Sequence, residues 1–188
     1  MKFSRRHILR TTALAAPALG LAGCASLFTT TTVAGVTTVT VDLTKLSQYA
    51  TALKNGVAML FSVPVITAAL GAATVALVTA VVDDTATQVA ALSKADNGST
   101  SLVFTTASVP AAVVAFQTDA VTIASNTATV FSTLGSSIGS DIQTTIDAFN
   151  TIVSLAEAVL PTAAARLTAA APLKMPEAAA LLILGVTS

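Results

Sequence analysis

The stretch DLTKLSQYATALKNGVAMLF, residues 42–61, decides the fold. Leu43, Leu46, Ala50, Leu53, Val57 and Leu60 recur at alternating steps of three and four, which sets one apolar stripe along a helix. Asp42 stands where an N-cap is wanted, and Lys45 and Lys54 fall on the opposite face. Ser62-Val63-Pro64 stops the helix, because proline lacks an N–H and crowds the preceding turn.

The same spacing returns three times downstream. Val75, Val78, Val82, Thr85, Val89 and Leu92 form a second seam, in a helix expected from about residue 64 to 95 that bends near Gly71 or projects past its neighbours. Val109, Val113, Phe116, Ala120, Ile123, Thr127, Val130 and Leu134 form a third, opened by Ser108 and Pro110 and closed by Gly135. Ile142, Ile146, Phe149, Val153, Ala156 and Leu160 form a fourth, after a capping box Ser140-Asp141-Ile142-Gln143. Four such seams predict an all-α domain over residues 42–188, an antiparallel four-helix bundle. Residues 163–171 read as a short helix around Arg166. The run Leu181-Leu182-Ile183-Leu184 is too apolar to be left in water and is expected to pack over one end of the bundle.

Two stretches resist the helical reading. Residues 36–41 are β-branched and partly alternating, and Leu102-Val103-Phe104-Thr105 is a second such tetrad. They are expected to pair as a minor two-stranded ribbon. Ahead of them, the uncharged run from Ala25 contains Thr29-Thr30-Thr31-Thr32. It reads as a tether, so that residues 24–41 together link the domain to whatever lies before it.

What lies before it is an export signal. Lys2, Arg5, Arg6 and Arg10 are basic, and Thr11 to Ala22 is an uncharged run too short to span a membrane. Ser4-Arg5-Arg6-His7-Ile8-Leu9-Arg10 resembles the twin-arginine export motif, with Ile8 where that family usually has Phe and Arg10 where it usually has Lys. Leu21-Ala22-Gly23-Cys24 resembles the lipobox of bacterial lipoproteins at all four positions. The resemblance covers residues 2–24. It implies removal of residues 1–23, a diacylglyceryl group on the thiol of Cys24, and a lipid-anchored location in the cell envelope. Ala25 stands where an Asp would favour the inner membrane, so the resemblance points to the periplasmic face of an outer membrane. Each buried acyl methylene contributes about 0.8 kcal/mol, so several chains on one residue anchor firmly.

Beyond the signal, Lys45, Lys54, Lys94, Arg166 and Lys174 face all nine acids, a net charge of −4. Five scattered cations are no footprint for a nucleic acid. Only 10% of the chain is charged, against about 25% in ordinary domains, so Ser and Thr must cover much of the surface and self-association is expected.

The chemistry is read mostly by exclusion. His7, the single histidine, and Cys24, the single cysteine, both belong to the N-terminal signal region. The mature domain therefore offers no imidazole and no free thiol, which excludes Ser-His-Asp and Cys-His catalysis and His- or Cys-ligated metals. Asp83 and Asp84, the one acidic pair, project about 100° apart on a helix and do not share a ligand. Thr51 and Lys54 are the nearest approach to a hydroxyl–lysine pair, and Gly135-Ser136-Ser137-Ile138-Gly139 lacks a phosphate-binding lysine. No enzyme, cofactor or metal site is expected. The sequence supports a structural or protein-interaction module on a membrane tether, bound to another protein or to itself. One alternative is a membrane-active protein: residues 61–82 carry no charge and would reach about 33 Å as one helix, enough to cross a bilayer. The other is a binder of small apolar ligands between loosely packed helices.

Overall fold

A computed structural model describes residues 27–95, 99–134, 138–159 and 173–187. The fold is mostly helical with a small antiparallel sheet. In chain order the elements are β1 (Phe28–Val33), β2 (Val36–Asp42), α1 (Leu43–Phe61), α2 (Pro64–Leu70), α3 (Ala72–Ala95), β3 (Ser101–Thr105), α4 (Ala111–Leu134), α5 (Ser140–Glu157) and α6 (Glu177–Ile183).

The sequence seams are the core. All six stripe residues of α1 are buried, as are Val78, Val82, Thr85 and Val89 of α3, Val113, Phe116, Ala120, Ile123 and Thr127 of α4, and Ile146, Phe149, Val153 and Ala156 of α5. Packing closes a ring: α1 lies against α3, α3 against α4, α4 against α5, and α5 against α1. Phe131 and Phe149 meet edge to face across α4 and α5, their ring centres 6.0 Å apart at 85°.

Threonine serves this core without leaving orphan hydroxyls. Thr85, Thr127 and Thr151 are buried, their Oγ1 atoms lying 2.8, 2.9 and 2.8 Å from the carbonyl four residues earlier; Thr127 and Thr151 donate to it, and Thr85 shares its one hydrogen between that carbonyl and Asp119 Oδ2 at 3.1 Å. The hydroxyl is satisfied within its own helix, and the methyl faces the neighbours much as valine's would.

The Thr-rich run is not a tether but the edge strand of a sheet. β1 pairs antiparallel with β2 from Phe28↔Val41 to Val33↔Val36, and β2 pairs with β3 from Thr38↔Thr105 to Asp42↔Ser101. The expected two-stranded ribbon is thus three-stranded, in the order β1-β2-β3, and the all-α expectation is corrected accordingly. Ala34 and Gly35, both at positive φ (49° and 81°), form the two-residue turn that lets β1 fold back. Val39, Val41 and Phe104 seat the sheet on the helices, and Leu27, just before β1, is buried with them. Hydrogen bonds from Asp42 N to the Leu27 carbonyl (2.8 Å) and from Leu43 N to the Thr100 carbonyl (2.9 Å) bind the sheet to the start of α1.

Asp42 caps α1 as its sequence position implies, its Oδ1 accepting from Lys45 N at 3.0 Å. The capping box at Ser140 does not form. Gly139 is the N-cap, Ser140 already lies inside the helix, and Gln143 donates to Asp147 Oδ1 at 3.0 Å rather than reaching back. The third long helix begins at Ala111, one residue beyond Pro110. The apolar C-terminal run forms α6, which packs along α5 and α1. The short helix expected at 163–171 and the helix stop at Gly135 lie outside the described residues.

Candidate interaction surface

The helix expected over 64–95 is two helices, and the break shapes the most distinctive surface of the molecule. α1 ends at Phe61, where the Ser62 N–H still reaches the Ala58 carbonyl at 3.2 Å. Pro64 then starts α2, which leaves α1 at 99°. Gly71 ends it at φ 79° and ψ 153°, a backbone region open in practice to glycine alone. The Gly71 N–H donates to the Thr67 carbonyl at 3.0 Å, and its own carbonyl accepts from Val75 N at 3.1 Å, so one residue ends α2 and opens α3. A continuous apolar helix over 61–82 is therefore ruled out.

The elbow so formed lays α2 across α1, α3 and α4. Ile66 and Leu70 plug the end of the core. The other faces stay in solvent: Met59, Val65 and Leu77 are each more than 40% exposed, with Ala68, Ala69, Ala72, Ala73 and Ala76 around them. No charge occurs from Asn55 to Val82. Lys54 and Asp83, the residues flanking that stretch, pair with each other at 2.9 Å across α1 and α3. The result is an uncharged, apolar end bounded by one exposed ion pair, which itself contributes little to stability. By length and composition α3 is apolar enough to cross a membrane, and only 22% of its most apolar window is buried.

The other candidate residues separate. Asp83 turns to Lys54 while Asp84 accepts from Gln88, so the acidic pair is divided between two partners. Thr51 donates to the Ser47 carbonyl at 2.9 Å and Lys54 points to Asp83, so no hydroxyl–lysine pair forms. Among the described residues no three His, Cys, Asp or Glu side chains gather to hold a metal ion. Lys174 is exposed and borders a groove of about 440 Å³ between α4 and α5, whose rail of Gln143, Asp147, Asn150, Ser154 and Glu157 belongs to α5. Arg5, Arg6, His7, Leu21, Ala22, Gly23, Cys24 and Arg166 lie outside the described residues.

Two carboxyl groups are held above the ordinary carboxylate range. Asp119 is raised mainly by burial between α3 and α4 and secondarily by Asp84, against a hydrogen bond from Thr85 Oγ1 at 3.1 Å that favours the ionised form. Burial alone raises Glu157 at the end of α5. Both sit at helix contacts.

Sequence reading found the break at Pro64 and a bend near Gly71 as one of two options, but not the exposed elbow. The signal available for it was the absence of charge from Asn55 to Val82. Compared with protein-family models, curated proteins and solved structures, the chain matches none.

Proposed function

We propose that the chain is a lipid-anchored lipoprotein of the cell envelope whose folded part is a protein-interaction module rather than a catalyst. The observation that carries this reading is the uncharged elbow, with Met59, Val65 and Leu77 left in solvent. An exposed apolar patch in a chain that otherwise buries its seams is what a partner-binding face needs. The module is an antiparallel four-helix bundle, a reading supported by the closed ring of helix contacts. It is further supported by the Gln117 side chain early in α4, which donates to the Glu157 carbonyl at the far end of α5 (3.0 Å).

Cys24 supplies the anchor, through the lipobox Leu21-Ala22-Gly23-Cys24, after export directed by Arg5 and Arg6. Ala25 favours the periplasmic face of the outer membrane. The partner is another envelope protein or a second copy of the chain, and a nucleic acid is not expected where five cations meet nine acids beyond residue 23 (5 − 9 = −4).

Two measurements test this. Palmitate label is expected on the wild type and absent from Cys24→Ser; label persisting in the variant would end the lipoprotein reading. Capture from envelope extracts with the lipidated chain is expected to yield partners that Val65→Asp with Leu77→Asp loses at unchanged circular dichroism. An identical set with and without those substitutions would remove the elbow from the proposal.

The exposed length of α3 favours a second reading, a membrane-active protein that inserts through the elbow. Leakage of dye from vesicles on adding the Cys24→Ser chain would support it, and intact vesicles at micromolar protein would reject it.

A further inference from the structure

One large apolar side chain at the opposite end of α1 is also left over. α6 packs Ala180, Leu181 and Leu184 into the core, and the Asn55 side chain holds the Leu184 carbonyl at 2.8 Å, yet Leu182 remains 68% exposed. Leu182 forms the rim of a groove of about 580 Å³ between α6 and the first turns of α1, shared with Asp42, Lys45, Gln48, Glu177 and Leu181. In its wall Lys45 Nζ lies 3.3 Å from Glu177 Oε1, and Asp42 Oδ1 accepts from Lys45 N at 3.0 Å.

What comes nearest to this groove is set by the covalent chain. Leu27 is hydrogen-bonded through its carbonyl to Asp42 N at 2.8 Å, and Asp42 lines the groove. Only Ala25 and Ser26 separate Leu27 from Cys24, so the Cys24 Cα lies within about 11 Å of the Leu27 Cα whatever path the chain takes. The elbow lies farther along α1: from Gln48, the last α1 residue in the groove, to Met59 is 11 residues, about 17 Å of helix.

We infer that the α1–α6 groove with Leu182 at its rim is the face that rests on the lipid surface, so that the domain sits on its anchor end and turns the elbow away from its own membrane. The inference rests on the lipoprotein reading of Cys24. The occupant is lipid rather than a protein, because lipid is what a diacylated Cys24 holds permanently within reach of Leu182.

The test uses the full lipidated chain in vesicles of phosphatidylethanolamine and phosphatidylglycerol. Cys24 is then a thioether, so a cysteine introduced by Leu182→Cys or Leu77→Cys is the single site for an environment-sensitive fluorophore. Both positions are solvent-exposed and tolerate the change, and Ala178→Cys, one turn from Leu182, provides a second reporter on the groove. Lipids carrying a nitroxide at headgroup level are expected to quench the labels at 182 and 178 severalfold more than the label at 77. Equal quenching at 182 and 77, or stronger quenching at 77, would overturn the inference. A label at 182 that is shielded from water yet unquenched would mean that protein covers the groove, and would overturn it as well. A chain that takes up no palmitate defeats the lipoprotein reading itself, whereas a palmitoylated, vesicle-bound chain with unquenched 182 defeats only the orientation.

Discussion

Gly56 shows how closely single residues set the packing. It is buried in α1, and a Cβ built on it would lie 2.5 Å from Phe149 Cδ2 and 3.3 Å from Leu184 Cδ2. The missing side chain lets α5 and α6 approach α1, and the ring it admits is the one that meets Phe131 edge to face. Gly56→Ala would gain helix propensity worth about 1 kcal/mol. It would also overpack a site whose nearest obstacle is a ring held on two sides, at about 1–3 kcal/mol. We expect the clash to prevail, with a net loss of about 1 kcal/mol seen as a lower urea midpoint. A midpoint that stays put or rises would mean that Phe149 has room to turn. The back-bonded threonines belong to the same scale. Thr127 reads correctly as a seam position because a threonine that satisfies itself behaves as an apolar residue, whereas Thr85 on its seam also reaches Asp119 of α4.

At the scale of elements, β1 is held by one ladder. Because Asp42 N donates to the Leu27 carbonyl, residues 27, 29, 31 and 33 direct their backbone groups toward β2, and 28, 30 and 32 direct theirs to the free edge. Thr31→Pro therefore removes a ladder donor, whereas Thr30→Pro removes one that faces outward. Hydrogen exchange at the Thr38 and Thr40 amides should speed up by about tenfold or more in Thr31→Pro, the equivalent of about 1.4 kcal/mol. It should stay near wild type in Thr30→Pro. Similar exchange in the two variants would contradict this register. The same strand explains where the sequence misled. Helical seams were legible because each has one wet and one dry face, which writes a three-four pattern into the residues. β1 is exposed along nearly its whole length on both faces, so nothing imposes an alternation on Thr29-Thr30-Thr31-Thr32, and the run looks like a linker. The elbow hid for a related reason: alanine on every side of residues 68–76 gives no face to read, although Pro64 and Gly71 marked its two corners. The lipobox was legible as a motif, and its geometry lies outside the described residues.

Across the whole molecule, few charges are available to respond to pH, and two of them sit where helices meet. Asp119 faces α3, where Thr85 donates to it, and Glu157 lies at the end of α5 beside the groove shared with α4. Burial raises both carboxyl groups in the folded chain relative to the unfolded one. Between the unfolded and folded values the folded chain binds the proton more tightly, so its stability falls as pH rises through that interval. Above the folded values both groups are ionised and the folded state bears the desolvation. As pH falls through the folded values toward the ordinary carboxylate range, that cost disappears. Asp119→Asn with Glu157→Gln has no such dependence and still presents Thr85 with an acceptor, the carboxamide oxygen. Acidification from pH 7 to about 4, the ordinary carboxylate range, should therefore shift the difference in melting temperature between wild type and the double variant in favour of the wild type. A comparison of the two proteins at each pH cancels what the remaining acids contribute to both. If the difference is the same at both pH values, the two carboxyl groups titrate alike in the folded and unfolded chains, and the helix contacts around them are wetter than their burial implies.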